Sequence, residues 1–327
     1  MKAIVGKRYG APENLQFREV EKPTPRDNEV LIEVHASSLN AADFERLRGS
    51  LITRMTGPQR PKDKIPGTDV AGTVEAVGST ITQFQPGDEI VGDLFYSGSG
   101  AFAEYVCAPE KVLTLKPSTM TFEQAATYPQ AAIIALQSLR GDREIQPGQK
   151  VLVNGAGGGM GTFAVQIAKY YGAEVTGVDS AEKLDMLHSI GADHTIDYTQ
   201  TDYTNIGQCY DLILDTVANR SISDYKRALT SDGLFVMVGG SRSALFQAAI
   251  IAPLKTRNDS RKMGINWWSK PYNKDDMDFL AKLFDEGKVV PVIDKRYTLS
   301  GVPEALKYLE DGHVLGKVVI TIKDDFS

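Results

Sequence analysis

The sequence predicts an α/β protein in two parts, a β-rich part first and a doubly wound parallel sheet after it. Three observations carry this. Residues 1–120 hold short β-like runs punctuated by Gly and Pro, residues 124–268 alternate strand and helix, and a glycine-rich turn joins a strand to a helix inside the second stretch. At roughly 150 residues per domain, a chain of 327 residues suits two domains.

In the first stretch VLIEVHA (30–36), DVAGTVEAVG (69–78), DEIVGDLF (88–95), AFAEYVCAP (101–109) and KVLTLKP (111–117) read as the strands of a compact, strongly bent all-β domain. Asp43 to Gly49 reads as one short helix, and residues 53–64 as a polar loop. In the second stretch KVLVN (150–154) precedes a helix whose Met160, Phe163, Ala164, Ile167, Ala168 and Tyr171 fall on one face, with Gly172 as its stop. EVTGV (174–178), a helix ending at Gly191, HTIDY (194–198), YDLILDTV (210–217), a helix near 221–229, LFVMVGG (234–240) and GINWW (264–268) continue the alternation. Apolar strands in repeated β-α-β units imply a parallel sheet covered on both faces. A helix over 275–286 and a strand VVITI (318–322) return the chain to the first domain. The expected domains are therefore 1–123 with 270–327, and 124–269.

Composition narrows the function. With 36 Lys plus Arg against 42 Asp plus Glu, the net charge of −6 argues against a nucleic-acid clamp or a polybasic membrane binder. No apolar run approaches the ~20 residues of a membrane-spanning helix, and MKAIVGKRYG lacks a signal-peptide core, so the expected location is cytoplasmic. Cys107 and Cys209 alone cannot build a disulfide scaffold or a four-thiolate zinc lobe.

The richest segment is VLVNGAGGGMGTFAVQIAKYYGAEVTGVD (151–179). Gly155 and Gly157 permit a tight turn and close approach of a pyrophosphate, Gly161 permits close helix–strand packing, and the helix start offers unpaired N–H groups. Strict G-x-G-x-x-G fails because position 160 is Met, and the fit is to Gly155, Gly158 and Gly161, with Gly157 and Gly159 beside them. Asp179, ending the second strand, suits a ribose 2′-hydroxyl and hence NADH, whereas Ser180, Lys183 and Tyr198 suit the 2′-phosphate of NADPH. Asp179 and Ser180 read equally as helix caps.

These features, with ASSLNAADFERLRG (36–49), IPGTDVAGTVEAVG (65–78), FQPGDEIVG (84–92), GAFAEYV (100–106) and GHVLGKVVITI (312–322), resemble the medium-chain dehydrogenase/reductase superfamily in its zinc-free, quinone-oxidoreductase-like branch. The resemblance implies a GroES-like β domain completed by the C-terminal segment, a Rossmann domain, and an active site in the cleft between them. Zinc-dependent relatives carry a Cys where Asn40 stands, His-Glu where Thr68-Asp69 stand, and a third ligand near Gln130. Asn, Thr and Gln are poor zinc donors, so no zinc is expected. His35, His188, His194 and His313 lack metal spacing.

In such an enzyme the nicotinamide carries the hydride chemistry, and donors must meet the oxyanion of a quinone or α,β-unsaturated carbonyl. The resemblance makes Asn40 the first candidate donor, with Asp43 beside it, and both also read as caps of the short helix. Related quinone reductases carry a Tyr shortly after that Asp, where this chain has Phe44 and Glu45. Tyr9, Phe44, Phe95, Tyr96 and Tyr128 are candidate substrate-lining aromatics. Gly239 and Gly240 would let backbone approach the nicotinamide or simply end a strand, and Lys317 reads as a cofactor contact or a surface lysine. An exposed edge strand bearing Trp267 and Trp268 would pair with a second copy. The leading reading is an NADPH-dependent quinone or enone reductase. NADH as coenzyme, alcohol dehydrogenase-type activity on small carbonyls, and nucleotide binding without turnover stand as alternatives.

Overall fold

The computed structural model describes residues 1–50, 53–54, 61, 64–141, 144–265 and 273–323. The chain divides into two compact units, Met1–Ile133 with Pro271–Gly287 and Pro291–Ser327, and Ile134–Lys270 with Lys288–Val290. The first boundary lies at 133/134 rather than at the expected 123/124. The intervening residues belong to the first unit, where Tyr128 packs on Phe284 and the Gln130 N–H bonds Asp69 at 3.1 Å.

The first unit opens with strands β1 (Lys2–Gly6), β2 (Leu15–Glu19) and β3 (Glu29–Ser38). Helix α1 (Ala41–Arg48) leads to β4 (Asp69–Val77), β5 (Glu89–Asp93), β6 (Tyr105–Pro109), β7 (Leu113–Leu115) and a short α2 (Phe122–Ala125). Helix α3 (Ala131–Arg140) carries the chain into the second unit. There β8 (Lys150–Asn154), α4 (Gly159–Tyr170), β9 (Glu174–Asp179), α5 (Leu184–Ser189) and β10 (His194–Asp197) form the first half. The second half comprises β11 (Tyr210–Asp215), α6 (Ile222–Ala228), β12 (Leu229–Met237), α7 (Arg242–Phe246), α8 (Ala252–Lys255) and β13 (Lys262–Ile265). The chain returns through α9 (Lys274–Asp285), β14 (Ile293–Thr298), α10 (Val302–Glu310) and β15 (Lys317–Thr321).

In the second unit six parallel strands run in the order β10-β9-β8-β11-β12-β13. Val151, Leu152 and Val153 have no exposed surface, as a central strand sandwiched between helix layers requires. The strand order reverses at β8, so the carboxyl ends of β8 and β11 flank the crevice where open α/β sheets bind ligands. Strand β13 forms one edge, and Trp267 and Trp268 lie outside the described residues. Between β12 and β13 the chain is helical through α7, a π turn at Gln247–Ile251 and α8. Most of the 53–64 loop falls outside the described residues.

In the first unit the central strand is β3. It pairs antiparallel with β4, β6 and β15, and the sheet continues through β5 to β7 and through β15 to β14. Helices α1 and α9 fall where short helices were expected at 43–49 and 275–286, while α2 and α10 add to the expected β domain, Val302, Ala305 and Leu306 of α10 packing with Ile4, Leu39 and Phe102. Strands β1 and β2, which the sequence expectation did not include, pair with each other. The docking of β15 on β3, where the Leu39 N–H bonds the Val318 carbonyl at 2.9 Å, brings the C-terminal Lys317 next to Asn40. Among the described residues no helix is long and apolar enough to cross a membrane.

Candidate functional site

The glycine turn after β8 is a cradle that side chains would fill. A Cβ on Gly161 would lie 2.2 Å from the Gly155 carbonyl oxygen and 2.6 Å from the Ala156 Cα, so this glycine is what lets α4 start against the turn. Gly155 holds φ +76°, and a Cβ there would meet Thr216 Oγ1 at 2.2 Å. Gly158 is the N-cap of α4 with no side-chain cap, and the first-turn N–H groups of Gly159, Met160 and Gly161 have no carbonyl partner within the helix. Gly158, Gly159 and Met160 are half-buried, leaving that helix end accessible to an anion. These residues fit a dinucleotide's diphosphate, with Met160 contributing its backbone.

Asp179 does something the sequence did not suggest. Its Oδ2 accepts the Gly157 N–H at 2.8 Å, its Oδ1 accepts the Ser180 N–H at 2.9 Å, and Lys183 Nζ lies 3.4 Å from Oδ1. The carboxylate is thus a strut for the glycine turn, neutralised by a buried lysine whose stem packs against Gly157. Asp197 pairs with Asp179 across β10 and β9, which sets Tyr198, half exposed, beside Ser180. Ser180, Lys183 and Tyr198 are therefore brought together around Asp179.

Behind the turn lies a network that the sequence reading missed. Asp215, fully buried at the end of β11, accepts from Asn154 Nδ2 at 3.0 Å, the Val217 N–H at 2.9 Å, Tyr225 OH at 2.8 Å and Tyr203 OH at 3.3 Å. Burial raises its pKa, and these donors oppose the rise. The available signal was Asn154 and Asp215 ending two adjacent apolar strands at the switch point. Gly239 and Gly240 abut this network, since a Cβ on Gly239 would lie 2.2 Å from the Thr216 carbonyl oxygen and Gly240 holds φ +149°.

In the first unit a buried polar cluster gathers where β3 meets α1. Asn40 caps α1, its N–H bonding Asp43 Oδ2 at 2.9 Å. Its side-chain Nδ2 donates to Asp69 Oδ2 at 2.7 Å and to Thr68 Oγ1 at 3.2 Å, and its Oδ1 accepts from Lys317 Nζ at 2.6 Å. Both amide hydrogens are thereby spent, and the expectation of Asn40 as a free oxyanion donor is corrected. Lys317 Nζ also reaches the Leu39 carbonyl at 2.9 Å and Asp69 Oδ2 at 3.4 Å. Lys317 is 2% exposed, so it is not a surface lysine, and its ammonium is committed within the first unit rather than to a cofactor. Ser38 Oγ and the Gln130 N–H complete the shell of Asp69 at 2.6 and 3.1 Å.

The electrostatics follow from burial. Asp43 is pushed up to about 7, chiefly by desolvation and further by Asp69, against the pull of the Asn40 N–H and Lys317. Its Oδ1 has no hydrogen-bond partner among the described residues. Asp93, which accepts the Phe95 N–H at 2.8 Å, is raised by the same burial and by Asp69. Desolvation pulls Lys317 down while Asp69 and Asp43 pull it up. The positions at which zinc-dependent relatives are expected to hold metal do converge here, but as Asn40 and Asp69 on a fixed ammonium, with Thr68 bonded to Asn40 and Gln130 to Asp69. Oxygen and amide donors about a resident cation do not fit zinc. Among the described residues no group of three or more His, Cys, Asp or Glu is placed to hold a metal ion.

The aromatic candidates separate. Tyr128 is fully buried, its ring centroid 4.7 Å from that of Phe284, which corrects its reading as a substrate-lining residue. Phe44 packs into the core beside Leu39 and Leu47, under the Arg48 guanidinium. Phe95 and Tyr96 meet edge to face at 4.7 Å, with Tyr96 70% exposed, and Arg46 lies over the Phe95 ring at 4.2 Å while bonding Ser99 Oγ at 2.6 Å. Tyr9 closes on Gly49, where a Cβ would come within 2.6 Å of its ring.

Residues 26–118 match the family described as an alcohol dehydrogenase GroES-like domain, and residues 190–320 match a zinc-binding dehydrogenase family. A chloroplast envelope quinone oxidoreductase homolog of Arabidopsis thaliana is 32% identical over 322 residues, covering 95% of each chain. An NADPH-dependent alkenal/one oxidoreductase of the same plant is 32% identical over 98% of this chain and 79% of its own. Among solved structures, the quinone oxidoreductase from Coxiella burnetii superposes with a TM-score of 0.88 at 29% identity, covering 99% of each chain.

Proposed function

The chain belongs to the medium-chain dehydrogenase/reductase superfamily, in its quinone-oxidoreductase-like branch, and from that premise we propose an NADPH-dependent, zinc-independent reductase of quinones and α,β-unsaturated carbonyls. The observation that carries the reading is the cradle formed by Gly155, Gly157 and Gly161, with the free first-turn amides of α4 at the switch point of the parallel sheet. When bound, the reduced nicotinamide supplies the hydride. The chain's own residues do the holding. The amides of Gly159 and Met160 take the diphosphate, Asp179 braces the turn through Gly157, and Asp215 fixes Asn154 and the Val217 N–H beneath it.

Coenzyme choice rests on charge at the end of β9. An unpaired Asp179 would repel a 2′-phosphate, but Lys183 neutralises it, and Ser180 and Tyr198 stand beside the pair. This favours NADPH over NADH.

The state of Asn40 bears on the substrate. With its amide hydrogens given to Asp69 and Thr68, the first unit offers no Asn40 N–H to a localised alkoxide. A quinone or enone spreads the arriving charge over its conjugated system and depends less on one strong donor than an unconjugated aldehyde does. Conjugated acceptors are therefore favoured over small carbonyls.

The test is steady-state oxidation of NADPH and NADH against quinones, enones and unconjugated aldehydes. Turnover with the first two classes, greater with NADPH, is expected. Preference for aldehydes would favour the alcohol dehydrogenase reading, and coenzyme binding without turnover of any acceptor would overturn the enzymatic one. A second copy pairing along the edge strand β13 is the proposed partner, to be checked by light scattering.

A further inference from the structure

Lys317 is a buried cation with its three hydrogens matched by three acceptors, Leu39 O, Asn40 Oδ1 and Asp69 Oδ2, at 2.9, 2.6 and 3.4 Å. Those partners belong to the loop between β3 and α1 and to the start of β4, the segments in which the sequence resemblance places metal ligands in zinc-dependent relatives. The lysine itself arrives from the far end of the chain, on the first residue of β15. The Asn40 amide orientation follows from these partners, since an ammonium can only donate and faces Oδ1, while a carboxylate can only accept and faces Nδ2.

We infer that Lys317 supplies from within the chain the positive charge for which zinc-dependent relatives use a metal, and acts as the positioning residue for the Asn40–Asp43 turn. The reasoning is one of charge and hydrogen-bond completeness. Asp69 is fully buried, and without a cation its carboxylate would face Ser38, Asn40 and Gln130 as neutral donors only. Breaking a buried pair by removing one partner strands the other, whereas removing both charges relieves the penalty. A cation fixed at Asn40 also repels a second one, so the same lysine that organises the cluster keeps a divalent metal out.

The inference is tested on the full chain with Lys317→Met, Asp69→Asn, the double variant, and Lys317→Ala, all read by thermal unfolding and metal content. Lys317→Met is expected to lower the unfolding midpoint by roughly 10 °C. The double variant should melt above the sum of the single losses, and additive losses would overturn the pairing. In Lys317→Ala, n-propylammonium replaces the missing stem and charge and is expected to raise the midpoint, whereas the neutral 1-propanol at the same concentration is not. Equal recovery by both would reduce Lys317 to a space-filler and overturn the inference. If Lys317→Ala does not fold, the wild type decides the matter. Its midpoint should not respond to Zn²⁺ and it should carry no stoichiometric zinc after purification, and one retained zinc per chain would overturn the inference.

Discussion

Replacing Gly161 by Ala tests the cradle most directly. The added Cβ would stand 2.2 Å from the Gly155 oxygen and 2.6 Å from the Ala156 Cα and oxygen, all backbone atoms of the turn itself. Ordinary carbon–oxygen contact needs more than 3 Å, so the first turn of α4 must retreat by about 1 Å, and overpacking of this kind costs about 1–3 kcal/mol. The retreat moves the amides of Gly159 and Met160 away from a diphosphate by the same distance. We expect NADPH affinity to fall roughly 10–100-fold, equivalent to ~1.4–2.8 kcal/mol, with a lower unfolding midpoint. Calorimetric titration of NADPH is the assay. Gly158→Ala, whose Cβ would sit 3.4 Å from the Gly155 oxygen, should cost much less, and Gly264→Ala on β13, with nothing within 4 Å among the described residues, should leave affinity unchanged. If Gly161→Ala binds NADPH as tightly as Gly264→Ala, the steric argument for the cradle fails.

Asn40→Ala should lower the unfolding midpoint as well as activity, because it strips partners from Asp69 and Lys317; a variant that melts like the wild type and loses only turnover would restore Asn40 as an oxyanion donor. Asp43, raised to about 7 in the folded chain, binds a proton more tightly folded than unfolded. Its contribution to stability is therefore present at low pH and is lost as pH rises from about 4, the unfolded value, towards 7, at no more than ~1.4 kcal/mol per pH unit. Asp43→Asn, which mimics the protonated side chain, should gain stability relative to the wild type across that window in chemical denaturation, and a constant difference from pH 5 to 8 would refute the shift. Asp179→Ser should weaken both coenzymes by releasing the Gly157 N–H, yet move the affinity ratio further towards NADPH; a ratio moving towards NADH, measured by fluorescence titration, would contradict the proposed pocket.

The parallel half of the fold was legible because its signals are local. KVLVN is strand β8 with the bounds expected, and the glycine turn directly followed by apolar positions at helical spacing defines α4. The first unit was less so, since β2 is exposed along most of its length, and α10 depends on a core shared with Ile4 and Phe102 from distant parts of the chain. Between β12 and β13 the helical signal is weak, because the apolar side chains of α7 and α8 do not all turn inward, Phe246 and Leu254 being exposed.

The sequence by itself determined where the chain can turn tightly from a strand into a helix, because backbone freedom at Gly155 and Gly161 is a property of residue type and needs no knowledge of distant neighbours. It also determined that the thiolate and imidazole donors zinc needs are missing at 40, 68 and 69. Only the tertiary structure decided what those positions do instead. The partner that completes Asn40 and Asp69 is Lys317, on a strand that reaches β3 from the opposite end of the chain, and hydrogen-bond saturation and charge neutralisation inside a core depend on such long-range juxtaposition. The same holds for Asp179, whose commitment to Gly157 and Lys183 is set by how β9 packs beside the turn.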